Sequence, residues 1–243
     1  MAQVHVFDRD TQVGTAAAAI IASAILHKSN AVLGLATGST PIPTYRELIR
    51  LHQKGVLDFS RVVTFNLDEY CHLPAEHPCS YFRFMREQLF EHINIPKENT
   101  HLPDGNGLDL AREGRRYDEE IEAAGGIDLQ VLGVGRNGHI GFNEPAEQFI
   151  YGCHVVDLTP STIEANRRFF KNGEDMPRQA ISMGIGSIMS AKEVLFIATG
   201  ADKAEAVRKA LREEISPKIQ ASILRTHHRA VFLLDRAAAS QLD

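Results

Sequence analysis

The sequence predicts a doubly wound α/β fold, a mainly parallel sheet with helices on both faces. Three observations carry this. Short apolar, β-rich runs alternate with longer helical patterns, the signature of parallel strands joined by right-handed helical crossovers. Several of those runs are continuously apolar, as strands buried on both faces are. Four of them lead directly into glycine-rich or polar sequence, as strands do at the rim where open α/β sheets bind ligands.

The strands expected are 31–36 (AVLGLA), 62–67 (VVTFNL), 127–134 (IDLQVLGV), 193–198 (EVLFIA) and 230–235 (AVFLLD). Between them, residues 11–27 are rich in Ala and Ile and read as a helix. Residues 41–54 follow Thr40-Pro41, a cap and first-turn pair. A helix over 80–93 starts at Ser80, one over 108–124 carries mixed charge, and one over 160–170 starts at Pro160. The last, 201–215, puts Ala204, Val207, Leu211 and Ile215 on one face. The glycines and prolines are scattered and form no linker, so residues 1–243 read as a single domain.

Composition narrows the function. Hydrophobic residues make up 44% of the 243 and charged residues 23%, which excludes a disordered chain. The net charge of −5 argues against nucleic acid as a partner, although local charge decides whether an anionic small molecule binds. The odd number of cysteines, Cys71, Cys79 and Cys153, reads as reduced thiols in a cytoplasmic protein. The N-terminal MAQVHVFDRD lacks a basic start followed by an apolar run, so no signal peptide is expected. The apolar stretch Ala16 to Leu26 is about half the ~20 residues of a membrane span.

If the strands are parallel, the segments TGSTP (37–41), DEY (68–70), GRNGHIGFNEP (135–145) and TGADK (199–203) share one rim. Gly38, Ser39 and Thr40 sit where a strand turns into a helix, and the free N–H groups of a helix start attract anions. No GK[ST] follows, so this is not a Walker A loop, and taken alone an ordinary helix cap explains it equally well. Lys203 lies at the start of another helix, where a cation opposes the helix dipole unless an anion binds there. Arg167-Arg168 is a further basic candidate, although paired arginines on a helix are ordinarily surface charge.

Asp68 and Glu69 point to opposite faces of a strand, so one enters a site while the other supports it. A carboxylate there serves as a general base if burial or a like charge raises its pKa. A cap or turn acid is the plain alternative. Gly133, Gly135 and Gly138 spell GxGxxG, but the HIGFNEP that follows is poor helix sequence, so no dinucleotide site is expected. Asn137, His139 and Glu144 stand on that loop, and a carboxylate orients a histidine that titrates near neutrality. Cys71, His72, His77 and Cys79 match no standard zinc spacing, and no metal is expected.

The strings LATGSTP, VVTFNLDEY, HPCSYFRFM, LGVGRNGHIGFNEP, ANRRFF and TGADKAEAV, in this order, resemble the glucosamine-6-phosphate deaminase family over roughly residues 30–235. GHIGFNEP with NLDEY is specific to that family. The wider superfamily of 6-phosphogluconolactonases and sugar-phosphate-sensing regulators shares the phosphate loop without this pair of motifs. The resemblance implies a modified Rossmann-like fold, no cofactor, and conversion of glucosamine 6-phosphate and water to fructose 6-phosphate and ammonia. It implies that Asp68 moves the C2 proton, that His139 opens the pyranose ring with Glu144 as its partner, and that Gly38, Ser39, Thr40, Arg168 and Lys203 hold the phosphate. Many members carry Asp where this chain has Asn137; one branch shares its RNGH, and Asn orients His139 without taking a proton. Regulated members carry Ser, Arg and Lys where ungapped matching gives Glu147, His154 and Val156, and they have a longer C-terminus. The expectation is therefore no activation by N-acetylglucosamine 6-phosphate. The chain is read as monomer or homo-oligomer, with residues 146–160 forming part of a lid.

Overall fold

The structure, a computed structural model, describes residues 3–171 and 173–242. All five expected strands are present, as β2 (Val32–Leu35), β3 (Val63–Asn66), β6 (Leu129–Leu132), β9 (Glu193–Ala198) and β10 (Ala230–Asp235). With β1 (Gln3–Phe7) and β5 (Thr100–His101) they form a seven-stranded sheet in the order β1-β10-β9-β6-β2-β3-β5, every neighbouring pair parallel. Consecutive residues of β2, β6 and β9 are buried, so elements cover both faces of the sheet.

The helices follow the expected alternation. They are α1 (Asp10–His27), α2 (Ile42–Gln53), α3 (Tyr81–Gln88), α4 (Leu110–Ala123), α5 (Pro160–Arg167), α6 (Ile185–Ser190) and α7 (Ala204–Arg212). Along α1, Val13, Ala17, Ile21 and Ile25 make one buried stripe at four-residue spacing. Tyr45 of α2 donates its hydroxyl to the Ala36 carbonyl at 2.5 Å, tying that helix to the end of β2.

Several boundaries differ from expectation. Pro41, not Thr40, occupies the cap position of α2, with no side-chain cap bond. The 80–93 helix stops at Gln88, and Phe90–His92 forms a separate 3-10 turn. The 160–170 helix ends at Arg167. Ala201–Lys203 is a 3-10 turn ahead of α7, and Ile215, expected on the buried face, lies beyond the helix and is exposed.

The chain runs outward from β2 to β3 and β5, then returns to β6 on the other side of β2 and continues to β9 and β10. This reversal makes the carboxyl ends of β2 and β6 the switch point where doubly wound sheets bind ligands. A second sheet, absent from the expectation, borders that point. Its strands β4 (Asp68–Tyr70), β8 (Gln179–Ser182) and β7 (His154–Asp157) pair antiparallel. The chain passes from one sheet to the other at Leu67, whose N–H donates to Leu35 and whose carbonyl accepts from Met183. Tyr70, Leu73, Phe142, Leu158, Phe170, Met176 and Ala180 form a small core against this sheet. No helix among the described residues is long and apolar enough to cross a membrane.

Candidate active site

A cleft of about 370 Å³ opens at the switch point, within the ~300–1,000 Å³ usual for small-molecule sites. Residues from all four predicted rim segments line it, among them Gly38, Ser39, Thr40, Asp68, Asn137, His139 and Lys203, and Arg168 joins them from the end of α5. Glu144 does not reach the cleft wall; it is buried behind His139. Arg167 is exposed and outside the lining. Residues 146–160, read as part of a lid, do not wall the cleft: 154–157 are held in the small sheet as β7, and α5 supplies Ser161 and Thr162 to the wall instead.

The turn after β2 leaves room for a ligand. Gly38 has φ +93°, a conformation that favours glycine, and a Cβ added there meets nothing within 4 Å. Because neither Ser39 nor Thr40 caps α2, both hydroxyls are without a protein partner among the described residues.

The adjacent carboxylates separate as strand alternation predicts. Asp68 faces the cleft. Glu69 turns away and accepts the N–H groups of Tyr70 at 2.8 Å, Tyr81 at 3.0 Å and Phe82 at 2.8 Å, serving the open start of α3. The Asp68 carboxyl accepts no hydrogen bond from a described residue and is 6% exposed. Burial first, and the neighbouring Glu69 charge second, push it up to about 8. Burial also raises Glu69, against the three N–H bonds that favour its charge.

The glycine string between β6 and Pro145 forms turns and an isolated bridge rather than a helix, in keeping with the argument against a dinucleotide site. Gly135 is required by close approach: a Cβ there would lie 2.3 Å from Cε1 and Nε2 of the His139 ring. His139 Nδ1 lies 3.4 Å from Glu144 Oε2 and 3.3 Å from Thr162 Oγ1, leaving Nε2 without a protein partner among the described residues. Asn137 braces both groups, donating to Glu144 Oε2 at 2.6 Å and accepting the His139 N–H at 3.2 Å. Thr159 donates its hydroxyl to the same Glu144 oxygen at 3.2 Å. Burial pushes Glu144 up, but the hydrogen bond and charge of His139, with Thr162 and Asn137, outweigh it and hold the carboxyl at about 2. Glu144 is therefore a fixed anion that orients the imidazole.

The basic end of the cleft holds Lys203, Arg168 and Arg136. Burial lowers the Lys203 ammonium; Asp202 opposes this, and the charges of Arg136 and Arg168 add to it. Arg168 also stacks over the Phe169 ring, 4.8 Å from its centroid. Sequence reasoning missed Arg136, Thr162, Tyr81 and Asp202. Arg136 carried a signal, standing inside the motif that supplied Asn137 and His139.

The cysteine and histidine cluster disperses. His77 Nε2 meets Glu174 at 2.6 Å, the Cys79 N–H donates to His77 Nδ1, and the Cys79 thiol donates to the Phe169 carbonyl. Cys71 is buried, and His72 occupies an exposed turn at φ 60°.

Fold and site together define an α/β protein whose switch-point cleft joins an acid–base end to a cationic end. The family described as glucosamine-6-phosphate isomerases/6-phosphogluconolactonase matches residues 9–233, and the chain belongs to it. A glucosamine-6-phosphate deaminase of Thermoanaerobacter sp. (strain X514) is 53% identical over 224 residues, spanning 92% of this chain and 88% of its own. The glucosamine-6-phosphate deaminase of Clostridioides difficile (strain 630) is 52% identical over 227 residues, 93% of this chain and 91% of its own. The solved structure of a monomeric glucosamine-6-phosphate deaminase superposes with a TM-score of 0.96 at 45% identity, covering 98% of this chain and 99% of that one. A 6-phosphogluconolactonase from Leishmania guyanensis, at TM-score 0.77 and 22% identity over 100% of this chain and 99% of its own, shares the fold.

Proposed function

We propose that the chain is a glucosamine-6-phosphate deaminase of amino sugar catabolism, a single sugar-phosphate domain acting in the cytoplasm as monomer or homo-oligomer. The observation that carries this reading is the pairing, in one cleft, of a buried Asp68 without a hydrogen-bond partner among the described residues and a His139 oriented by Glu144. The identity of about half to named deaminases supports it.

The reaction asks for proton transfer at two places, and the cleft has a group for each. His139, through Nε2, takes the proton of the anomeric hydroxyl and returns one to the ring oxygen, giving the open-chain aldehyde. Glu144 stabilises the imidazolium in between, and Asn137 keeps both aligned. Asp68, as carboxylate, removes the C2 proton and delivers it to C1 while one proton passes from the substrate's ammonium group to O1, converting the aldehyde-ammonium to a C2 iminium with a C1 alcohol. Water adds to C2 and ammonia leaves, giving fructose 6-phosphate. Each positioned acid or base contributes roughly 10²–10⁴-fold. Gly38, Ser39, Thr40, Arg168 and Lys203 hold the phosphate, and this remote binding positions C1 and C2. The chemistry calls on no cofactor, and the small-molecule substrate is the only partner it needs. Lactone hydrolysis leaves the C2 proton in place and so needs no base at C2, the task this reading gives Asp68.

The test is purified protein with glucosamine 6-phosphate, following ammonia and fructose 6-phosphate together. Equimolar release of both is expected. Failure to release either, or hydrolysis of 6-phosphogluconolactone instead, overturns the proposal.

A further inference from the structure

Arg136 has no task in the chemistry above, yet its side chain lines the basic end of the cleft. Its Nε donates to Asp202 Oδ2 at 3.1 Å, and that oxygen stands 4.0 Å from Lys203 Nζ. The two terminal nitrogens of its guanidinium have no protein partner among the described residues. These are the nitrogens whose planar fork matches two phosphate oxygens. The ion pair that holds Nε is half exposed on both sides, at 56% and 45%, so by itself it contributes little to stability.

The surrounding charges favour an anion. Arg136, Arg168 and Lys203 bring three positive charges to the cleft wall, against Asp202 among them and Asp10 at the first turn of α1. Asp10 is occupied locally, accepting the Thr11 N–H at 2.7 Å. The mutual repulsion of the cations shows in Lys203, whose charge is disfavoured by both arginines. A phosphate dianion relieves that repulsion. Asp202 does the opposite, because it neutralises part of the basic end while the cleft is empty and repels the dianion when it arrives.

We propose that Arg136 is a third cationic ligand of the sugar's phosphoryl group, and that Asp202 is the counter-charge that weakens this grip so that product leaves. This rests on the reading of the cleft as a sugar-phosphate site. It adds a specificity determinant carried by the residue just before Asn137, and divides the loop from 135 to 139 between two tasks. Gly135, Asn137 and His139 serve the reacting end, while Arg136 reaches toward the phosphate.

Inorganic phosphate is the probe that separates this from catalysis. Calorimetric titration of phosphate into Arg136→Gln is expected to show about tenfold weaker binding, and KM for glucosamine 6-phosphate is expected to rise by a similar factor with a smaller change in kcat. Asp202→Asn is expected to shift both quantities the other way, tightening phosphate binding severalfold. A plain surface ion pair predicts that the two variants behave alike, since each breaks the same contact. Phosphate affinity within twofold of wild type in Arg136→Gln, or shifts of the same sign in both variants, would overturn the proposal. Because phosphate binding is read without turnover, a wrong assignment of substrate leaves this measurement intact. A catalytically competent enzyme indifferent to Arg136→Gln removes only the present inference.

Discussion

Replacing Asp68 with Asn keeps the side chain's shape and removes its charge, and the structure predicts opposite effects on activity and stability. The buried carboxyl accepts no hydrogen bond from a described residue and sits beside Glu69, which together with burial moves its pKa from 3.8 to about 8. The folded protein therefore retains a proton over the range from about 4 to about 8 that the unfolded chain has released. This group makes the fold progressively less stable as pH rises through that window, and its penalty levels off above it. At ~1.36 kcal/mol per pKa unit the full penalty is on the order of 6 kcal/mol, an upper bound because the cleft admits solvent. Asn does not titrate, so its advantage grows from pH 4 to 8. A gain of even ~1 kcal/mol raises Tm by roughly 2–4 °C in a chain of this length. Turnover moves the other way, falling ~10²–10⁴-fold with loss of the base. Wild-type kcat/KM should rise with pH through about 8, where the free enzyme's carboxyl ionises. Calorimetric melts between pH 4.5 and 8.5, ammonia release, and titration with an open-chain amino-alditol phosphate give the three readouts, the last expected to bind the variant within threefold of wild type. A variant with turnover within tenfold of wild type, or one whose stability difference does not vary with pH, would refute the reasoning.

Gly135→Ala drives a methyl group into the His139 ring, and displacing that ring by about 1 Å should cost ~10²-fold in kcat with KM little changed; steady-state rates equal to wild type would count against the contact. Glu144→Gln removes a carboxylate held at about 2, so its contribution to stability, present above about 4.5, is lost as pH falls toward 2. The variant should melt lower than wild type at pH 7 and converge with it in acid, and it should slow the pyranose substrate more than an open-chain one; equal slowing of both would contradict the ring-opening role. On the ungapped matching, Glu147, His154 and Val156 stand where the family resemblance places Ser, Arg and Lys in regulated members, so N-acetylglucosamine 6-phosphate is expected to leave the substrate saturation curve unchanged; a sigmoidal curve made hyperbolic by the acetylated sugar would contradict this.

The parallel sheet was legible because its central strands are buried on both faces and so read as unbroken apolar runs. β9, with five consecutive buried residues, is the clearest case. The strands that escaped notice lack that signal for physical reasons. β1 is an edge strand with Val4 and Val6 exposed, so its residues are not committed to a core. β4 is three residues long and two of them are acids, so it reads as the polar end of the preceding strand until β8 is seen to pair with it in a second sheet. β7 and β8 bury one small cluster built from distant segments, and no local window contains Tyr70, Phe142 and Met176 together.

The site divides along the same line. Residues at strand ends were found because parallel topology alone sends them to one rim. What closes over that rim comes from α5, and its contribution is hidden by double use. Pro160 reads as the start of a helix, and Thr159 just before it caps α5 by accepting the Thr162 N–H at 3.4 Å. The same hydroxyl donates to Glu144, and Thr162 reaches His139, so the residues that begin the helix also set the His139 imidazole. Arg136 was missed differently: it stands inside the motif that supplied Asn137 and His139, but no stretch of sequence places it near Lys203 and Arg168. A net charge of −5 then ceases to be an obstacle to a phosphorylated substrate. Three cations converge on one end of one cleft and outnumber Asp202 and Asp10 there, and over a few ångströms it is that local arrangement which fixes the sign of the field.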